Sequence, residues 1–298
     1  MRKALTLVAI LLISVGAAAC EKHDAKEPVA TNLASHRATY ELSLLRADNR
    51  AQVNSVAGKF VVEWQDTCDG YTTNQRFLTR FGNVGGGTVL SDLSVSSWES
   101  ESGDRFRFNV VNSVNGRLED HSQGEGKRDL KTGAISVAFD DPAGETLDLP
   151  NGTVFPTEHM ALLIEAAAGG NRMFLRDLFD GSYEDGLSRV SAFIGKAIAA
   201  PAEADAKALA DLKADEKSRK LVDLPAWPIR MAFFSLAKDD ADKDPEEGDL
   251  PDYEFALNLR ANGVATDLQF DYGDFVVGGK LVEIEALPGC PTGTAPTN

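Results

Sequence analysis

Cysteine and histidine are scarce in this chain of 298 residues, which has three cysteines and four histidines. No histidine has a second one three or four residues away, so the usual zinc pattern of a helix does not occur. The chain also contains no Gly-x-Ser-x-Gly elbow, phosphate-binding loop or dinucleotide fingerprint. The sequence therefore predicts no catalytic residue, no cofactor site and no metal site.

Positive charge is low as well, because 30 lysines and arginines stand against 46 aspartates and glutamates, a formal net charge of −16. A surface of this sign repels the phosphates of nucleic acids and the anionic head groups of membranes, so we expect neither as a partner. Beyond the N-terminal segment, no apolar run approaches the roughly 20 residues of a membrane-spanning helix. The remaining composition, 43% hydrophobic and 26% charged, is typical of a globular protein.

The N-terminal segment has the layout of a secretory signal peptide. Arg2 and Lys3 precede an apolar run over residues 4–15, and small residues follow over 16–19. The run is short for a membrane span, so we predict a signal peptide over residues 1–19 and export to a compartment where disulfides persist. Residues 20–35 are predicted to form a flexible lead-in, and residues 291–298 a tail.

Cys20 stands at the predicted cleavage junction and has two interpretations. Cleavage after Ala19 by the ordinary signal peptidase fits the small residues before it and gives a soluble periplasmic protein. Alternatively, residues 17–20 form a lipoprotein signal, and a lipid on Cys20 would anchor the protein. Ala17 occupies a position that usually carries leucine in such signals, so we favour the soluble form.

The other two cysteines, Cys68 and Cys290, lie near opposite ends of the mature chain. In an oxidising compartment, two such cysteines most simply pair with each other. The competing interpretation is a reactive thiol at Cys68. It is disfavoured because the neighbouring Asp66 and Asp69 would raise the pKa of that thiol rather than lower it. We therefore predict a Cys68–Cys290 disulfide.

Alternation of apolar and polar residues with a period of two dominates the chain from His36 onward. Glycine-containing turn signals separate the alternating segments, and Asn115-Gly116 and Asn262-Gly263 suit two-residue hairpin turns with positive φ at both positions. The sequence predicts a mainly β fold, a single domain over residues 36–290 with roughly 12–14 antiparallel strands. The clearest alternating sets are Tyr40-Leu42-Leu44, Phe60-Val62-Trp64, Phe106-Phe108-Val110 and Ile135-Val137-Phe139.

One helix is predicted within this pattern, capped by Thr157 and ending near Ala168 before two glycines. Its apolar residues form one stripe, so we expect it to pack on the sheet. Residues 201–221 are predicted to form a second, solvated helix or a mobile insertion. The acidic segment over 238–252 is predicted to be an exposed loop.

Three segments resemble functional sites, and each has a simpler interpretation. His159 follows a carboxylate, but without a second histidine it is expected to pack at the start of the helix. Residues 240–244 imitate the opening of a calcium loop, but prolines stand at the positions that need glycine and glutamate. Residues 180–186 hold three carboxylates, including Asp180 and Asp185, and are predicted to form a tight turn instead of a paired-acid site.

The fifteen phenylalanines, many of them on alternating faces, leave two interpretations of the sheet interior open. A curved sheet with one apolar face either fills itself with side chains or encloses a cavity. A packed core is the simpler outcome. A cavity would accept a lipid, an acyl chain or a peptide tail.

Several stretches, taken in order, resemble the EipB-like cell-envelope integrity proteins of Gram-negative bacteria. The resemblance covers residues from about 36 to 290 and is more specific as an ordered series than any one motif. The matching stretches are 36–44, Cys68-Asp69-Gly70-Tyr71, Ser97-Trp98-Glu99-Ser100, Phe106-Arg107-Phe108, 152–159, 178–182, Trp227-Pro228-Ile229-Arg230, Asn262-Gly263-Val264, 271–275 and Cys290.

This resemblance implies an open, spiral or barrel-like β-sheet packed on one helix, with a disulfide at the positions of Cys68 and Cys290. It also implies a non-enzymatic periplasmic protein that supports cell-envelope integrity by binding another periplasmic protein, such as one with tetratricopeptide repeats. The family offers no catalytic residues. Two alternatives remain from the sequence: a carrier of lipid or lipoprotein acyl chains, and a hydrolase of envelope polymers that would use Asp180, Asp185 and His159.

Overall fold

The computed structural model describes residues 33–183, 186–199, 209–236 and 250–290. The predicted signal peptide, Cys20, most of the lead-in, most of the acidic loop and the tail lie outside these ranges. The elements, in chain order, are β1 (His36–Ala47), β2 (Val53–Asp66), β3 (Gly70–Asn83), β4 (Thr88–Ser100), β5 (Arg105–Val114), β6 (Arg117–Arg128), β7 (Ile135–Asp141), β8 (Thr146–Leu149), α1 (Pro156–Ala168), β9 (Met173–Phe179), β10 (Leu187–Ile194), α2 (Glu216–Arg219), β11 (Ala226–Ser235), β12 (Tyr253–Arg260), β13 (Ala265–Asp271) and β14 (Phe275–Ala286).

All fourteen strands form one open antiparallel sheet, so the predicted mainly β fold is confirmed. Strands β1 to β8 follow one another as a meander, and β9 to β14 form a second meander. The two join at the centre, where β1 pairs with β14 from His36 opposite Ala286 to Ala47 opposite Phe275. The edge strands of the sheet are β8 and β9.

The inner face of the sheet carries the apolar residues that alternate along each strand. In β1, Ala38, Tyr40 and Leu42 are buried, while the residues between them are more exposed. They belong to a large core that also includes residues of β2, of β10 to β14 and of α1. A sheet with one apolar face curls to remove that face from water, and α1 occupies the space inside the curve.

The two ends of the sheet meet at a second, smaller core. Phe108 of β5, Phe139 of β7 and Phe179 of β9 contribute rings whose centroids are 5.5 to 6.5 Å apart. Gly181 follows β9 with a φ of +97°, and a Cβ there would lie 2.7 Å from Phe108, so this close approach requires glycine. The Oγ of Ser122 in β6 donates a hydrogen bond to the carbonyl oxygen of Gly181.

Helix α1 has nearly the predicted extent, but Thr157 does not cap it. The N-cap is Phe155, whose side chain cannot accept a hydrogen bond. The carboxylate of Glu99 in β4 caps the helix instead, accepting hydrogen bonds from the backbone N–H of Thr157 at 2.8 Å and of Glu158 at 3.0 Å. The prediction was wrong because Pro156 already occupies the first helical turn, a position that proline favours.

A disulfide joins Cys68, in the turn from β2 to β3, to Cys290, which follows β14. The two Cα atoms are 5.0 Å apart although 222 residues separate them in sequence. The Nε2 of Gln65 also donates a hydrogen bond to the carbonyl oxygen of Pro288 at the same junction. Because β2 and β14 are the two neighbours of β1, this bond links the two meanders across the central strand.

From residue 209 onward, the structure shows neither the solvated helix nor the mobile insertion predicted over 201–221. Within 209–221 the only helix is the four-residue α2, and Leu209 and Leu212 are buried in the large core. The N–H of Lys213 donates to the carbonyl oxygen of Val282 in β14, which fixes the segment against the sheet. The prediction was wrong because Leu209 and Leu212 pack into the core, although the charged residues around them stay exposed. No helix in the described ranges is long and apolar enough to cross a membrane.

The two predicted hairpin turns differ. Asn115 and Gly116 both have positive φ, as a two-residue turn requires. At the second turn only Gly263 does, and Asn262 is buried instead. The chain still turns here, since the N–H of Arg260 donates to the carbonyl oxygen of Val264. The Nδ2 of Asn262 donates to the carbonyl oxygen of Leu221, so its side chain also holds the segment before β11.

Candidate functional site

The residues that suggested chemistry in the sequence do not form a cluster in the described part of the structure. His159 is buried in α1 against Phe174, with ring centroids 5.4 Å apart. Burial, with a smaller contribution from the positive charge of Arg176, lowers the pKa of His159 to about 4, so its imidazole is neutral near pH 7. Asp180 is exposed in the turn after β9, where its Oδ1 accepts the N–H of Ser182.

Asp185 and the acidic segment over 240–244 lie outside the described residues, so the structure does not describe the predicted paired-acid and calcium-like segments in full. Among the described residues, no group of three or more His, Cys, Asp or Glu side chains could hold a metal ion. The only pair of predicted site residues that this part of the chain brings together is Cys68 and Cys290.

A buried polar network at the start of α1 was missed by sequence reasoning. Burial raises the pKa of Glu99 to about 7, although the N–H groups of Thr157 and Glu158 favour its ionised form. Nearby, the guanidinium of Arg128 pairs with Glu158 at 2.7 Å and lies over the ring of Phe155. Alternation along β4 already places Glu99 on the inner face, which was the available signal. The network fixes α1 inside the sheet.

The middle of the inner face is filled by aromatic rings. Phe60 stacks on Phe77 with centroids 3.9 Å apart, and Phe255 stacks on Phe270 at 4.6 Å. Phe270 also meets Phe60 and Phe77 edge to face, which joins the two pairs into one cluster. This region therefore has the packed interior that was one of the two interpretations.

The backbone at the β9 edge of the sheet is available for pairing. The carbonyl oxygen of Arg172 accepts the N–H of Ile194, so even-numbered residues here face β10. Odd-numbered residues face away from β10, and Val154 pairs with two of them, at Asp177 and Phe179. By the same alternation, the N–H groups of residues 173 and 175 point to the free edge, where no described strand lies.

Exposed apolar side chains surround this free backbone. Met173 is 61% exposed, Leu175 54% and Phe193 52%, and Met173 lies directly opposite Phe193 on β10. We call these three residues, together with Arg172 and Arg176, the β9 edge patch. Large apolar side chains that are exposed together often mark interaction surfaces.

The β9 edge patch is locally positive on a chain that is strongly acidic. The guanidinium carbon of Arg172 lies 5.2 Å from the centre of the Phe193 ring, and the Nη1 of Arg176 donates to the carbonyl oxygen of Leu175. Neither arginine has a carboxylate partner among the described residues, whereas the neighbouring Arg189 pairs with Asp177 at 2.9 Å. The patch therefore offers two positive charges without a carboxylate partner in the described ranges, beside the outward-pointing N–H groups of residues 173 and 175.

Sequence reasoning also missed this patch. Its signal is the run Met173-Phe174-Leu175, which places apolar side chains on both faces of one strand. Phe174 is buried inside the sheet, so the other two are left outside. An edge strand with a free backbone, apolar side chains and positive charge can bind an extended acidic segment by strand addition.

Comparisons with known proteins agree with this architecture. The model of the EipB-like family matches residues 27–288. The cell envelope integrity protein EipB of Brucella abortus (strain 2308) is 34% identical over 258 residues, which cover 86% of this chain and 85% of that protein. A crystal structure of a beta-barrel-like protein of a domain of unknown function, also from Brucella abortus, has a TM-score of 0.74 and 31% identity, and the match covers 87% of this chain and 100% of that one. The matched region includes all fourteen strands, and the chain belongs to the EipB-like family.

Proposed function

We propose that this chain is a non-enzymatic periplasmic protein that supports cell-envelope integrity by binding another periplasmic protein at the β9 edge patch. A role in envelope integrity is supported by the similarity to an envelope integrity protein over most of both chains. The observation that carries the binding mode is the edge strand itself, with Met173 and Leu175 more than half exposed and their N–H groups pointing to an edge where no described strand lies.

Strand addition fits this surface because the backbone supplies affinity and the side chains supply specificity. An extended segment beside β9 would accept the N–H groups of residues 173 and 175 and place apolar side chains near Met173 and Phe193. Acidic residues in that segment would be attracted to Arg172 and Arg176, while the rest of this acidic surface would repel them. A partner with tetratricopeptide repeats, as the resemblance implies, would contribute a segment outside its helical repeats.

The test uses single substitutions on the patch in the strain that encodes the chain. Leu175→Pro removes a backbone N–H at the free edge, and Leu175→Asp adds a charge that repels an acidic segment. The matched control is Leu118→Asp on β6, because Leu118 is 62% exposed but lies away from β9. Periplasmic cross-linking and survival in a membrane-active detergent are the measurements.

We expect both Leu175 variants to lose the cross-linked partner and the resistance to detergent, while Leu118→Asp retains both. Urea unfolding midpoints close to that of the wild type would show that the fold is intact. If the Leu175 variants fold and retain partner and resistance, the β9 edge patch is not the binding surface.

The carrier function has one supporting observation, a row of incompletely buried aromatic rings at one end of the inner face. Tyr272 is 48% exposed and stacks on Phe275 at 5.0 Å, and Phe275 meets Phe81 edge to face. An acyl chain could enter between these rings. Displacement of a fluorescent fatty acid and mass spectrometry of lipid extracted from the purified protein test it, and no binding in either measurement would reject it.

Intact mass of the exported protein distinguishes the two fates of Cys20. In the proposed soluble form, the mature chain begins at Cys20 with an unmodified thiol. An added diacylglyceryl mass would show instead that the protein is anchored to a membrane.

A further inference from the structure

The outer face of the sheet contains a cavity of about 530 Å³ that the partner-binding function does not use. It lies across β4 to β7 and is lined by polar and charged side chains with one indole ring. The main lining residues are Trp98, Arg107, Asn109, Gln123, Glu125 and Asp140. We call this cavity the Trp98 groove, and its volume is within the range of about 300–1,000 Å³ that is usual for small-molecule sites.

The strand register explains why these side chains converge. Trp98, Arg107 and Glu125 lie directly opposite one another on β4, β5 and β6. Asn109 of β5 and Gln123 of β6 form the next pair on the same face. The intervening residues, such as Phe108, point inward to the smaller core. The outer face of three paired strands is therefore polar because of the alternation, and the core beneath it supports it firmly.

One wall of the groove is held rigidly. The indole of Trp98 lies against Gly70 of β3 so closely that a Cβ on Gly70 would be 2.8 Å from its Nε1. The guanidinium carbon of Arg107 lies 5.2 Å from the centre of the same ring. Arg107 is in turn bonded to the Oε1 of Glu125 at 3.1 Å, and Lys127 pairs with that carboxylate as well.

The opposite side of the groove is formed at an irregularity in the sheet. The register of β6 and β7 shifts between Gln123 and Gly124, which leaves Asp140 as an extra residue without a partner on β6. The side chains of Gln123 and Asp140 are exposed, and no hydrogen-bond partner is described for them within the described ranges. They are available to a ligand without breaking an existing contact.

The chemistry of this lining favours a polyhydroxylated ligand over a charged one. An amide, a carboxylate and a guanidinium each present paired donors or acceptors that match adjacent hydroxyl groups. The carboxylate of Glu125 is already compensated by Arg105, Arg107 and Lys127. Asp140 keeps an exposed negative charge that disfavours a phosphate, and the indole of Trp98, beside the guanidinium of Arg107, adds an apolar wall for the C–H groups of a sugar ring. We propose that the Trp98 groove binds a short segment of an envelope polysaccharide.

Two polymers share this chemistry: the amino-sugar strands of the cell wall and the polysaccharide part of the outer-membrane lipopolysaccharide. Isothermal titration of the purified, oxidised protein with chito-tetraose and soluble muropeptide oligosaccharides tests the first source. Titration with delipidated outer-surface polysaccharide tests the second. Binding in either arm supports the proposal and identifies the source.

Gln123→Ala and Trp98→Leu are the informative variants, and Gln269→Ala is the matched control because Gln269 is an exposed glutamine on β13. We expect each groove variant to weaken binding by about tenfold or more, and the control to bind as the wild type does. Gln123→Ala removes only an exposed amide, so it keeps the test valid if Trp98→Leu does not fold. The proposal is overturned if the wild type binds neither set of glycans, or if a folded Gln123→Ala variant binds with unchanged affinity.

Discussion

The buried carboxylate of Glu99 should make the stability of the protein fall as pH rises, against the usual direction for an acid at a helix N-terminus. Its pKa is raised by burial from 4.5 to about 7, so the folded state holds its proton more tightly than the unfolded state. The stabilising contribution of the Glu99 proton is complete below pH 4.5 and is lost as pH rises through about 7. Since one pKa unit corresponds to about 1.4 kcal/mol, the loss is about 3 kcal/mol.

His159, near the start of the helix that Glu99 caps, has the opposite dependence. Its pKa is lowered by burial from 6.5 to about 4, so the folded state binds the proton less tightly. Its contribution is complete above pH 6.5 and is lost as pH falls through about 4, again by about 3 kcal/mol. Between pH 4.5 and 6.5 the two groups oppose each other, so their joint effect on the wild type is small.

Single substitutions separate the two dependences. The stability of Glu99→Gln relative to the wild type, measured as the difference in unfolding free energy, should increase by about 3 kcal/mol as pH rises from about 4 to 8. In His159→Leu the relative stability should rise as pH falls over the same range. Glu101→Gln, which changes an exposed carboxylate two residues from Glu99, is the matched control.

Urea unfolding followed by tryptophan fluorescence, with the disulfide intact, gives the required free energies at each pH. The slope with pH is the informative quantity, because the amide introduced by Glu99→Gln loses one of two acceptor positions and adds a constant penalty. The competing outcome is that the N–H groups of Thr157 and Glu158 hold Glu99 ionised. A relative stability of Glu99→Gln that is flat or declines as pH rises would refute the dominance of burial.

Two further predictions concern the joints of the fold. Replacing Cys68 and Cys290 together by serine should lower the unfolding free energy by about 5 kcal/mol in the chain-entropy model, because the disulfide closes a loop of more than 200 residues. A loss below about 1 kcal/mol in urea unfolding would contradict this. Phe179→Ala should cost about 3–5 kcal/mol because Phe179 is fully buried where the sheet ends meet. Leu175→Ala on the same strand should cost less than about 0.5 kcal/mol, and equal costs would argue against that packing.

Much of the fold could be predicted from the sequence because the signals were local. Alternation identified Tyr40 and Leu42 or Phe106 and Phe108 as inward-facing pairs, and Asn115-Gly116 marked a turn by its own backbone preference. The positions of the strands follow from such signals between near neighbours in the chain. The structure confirms them because burial of one face is what the alternation encodes.

The candidate sites could not be predicted in the same way, because each depends on partners far apart in sequence. Glu99 caps a helix 58 residues later, and no local pattern records that distance. The exposure of Leu175 follows from β9 being an edge strand, which the order of strands decides. Trp98 becomes the wall of a groove only because the register of β4 and β5 sets Arg107 opposite it.

The placement of the first and last strands side by side has a consequence for biogenesis. The chain is synthesised from its N-terminus, so β1 must wait for β14, more than 200 residues behind it, before its second edge is paired. Until β14 has been made, the first meander has an unpaired edge strand that favours aggregation or binding by a chaperone. Loss of β14 would therefore leave the two meanders as separate sheets, with no strand pairing between them.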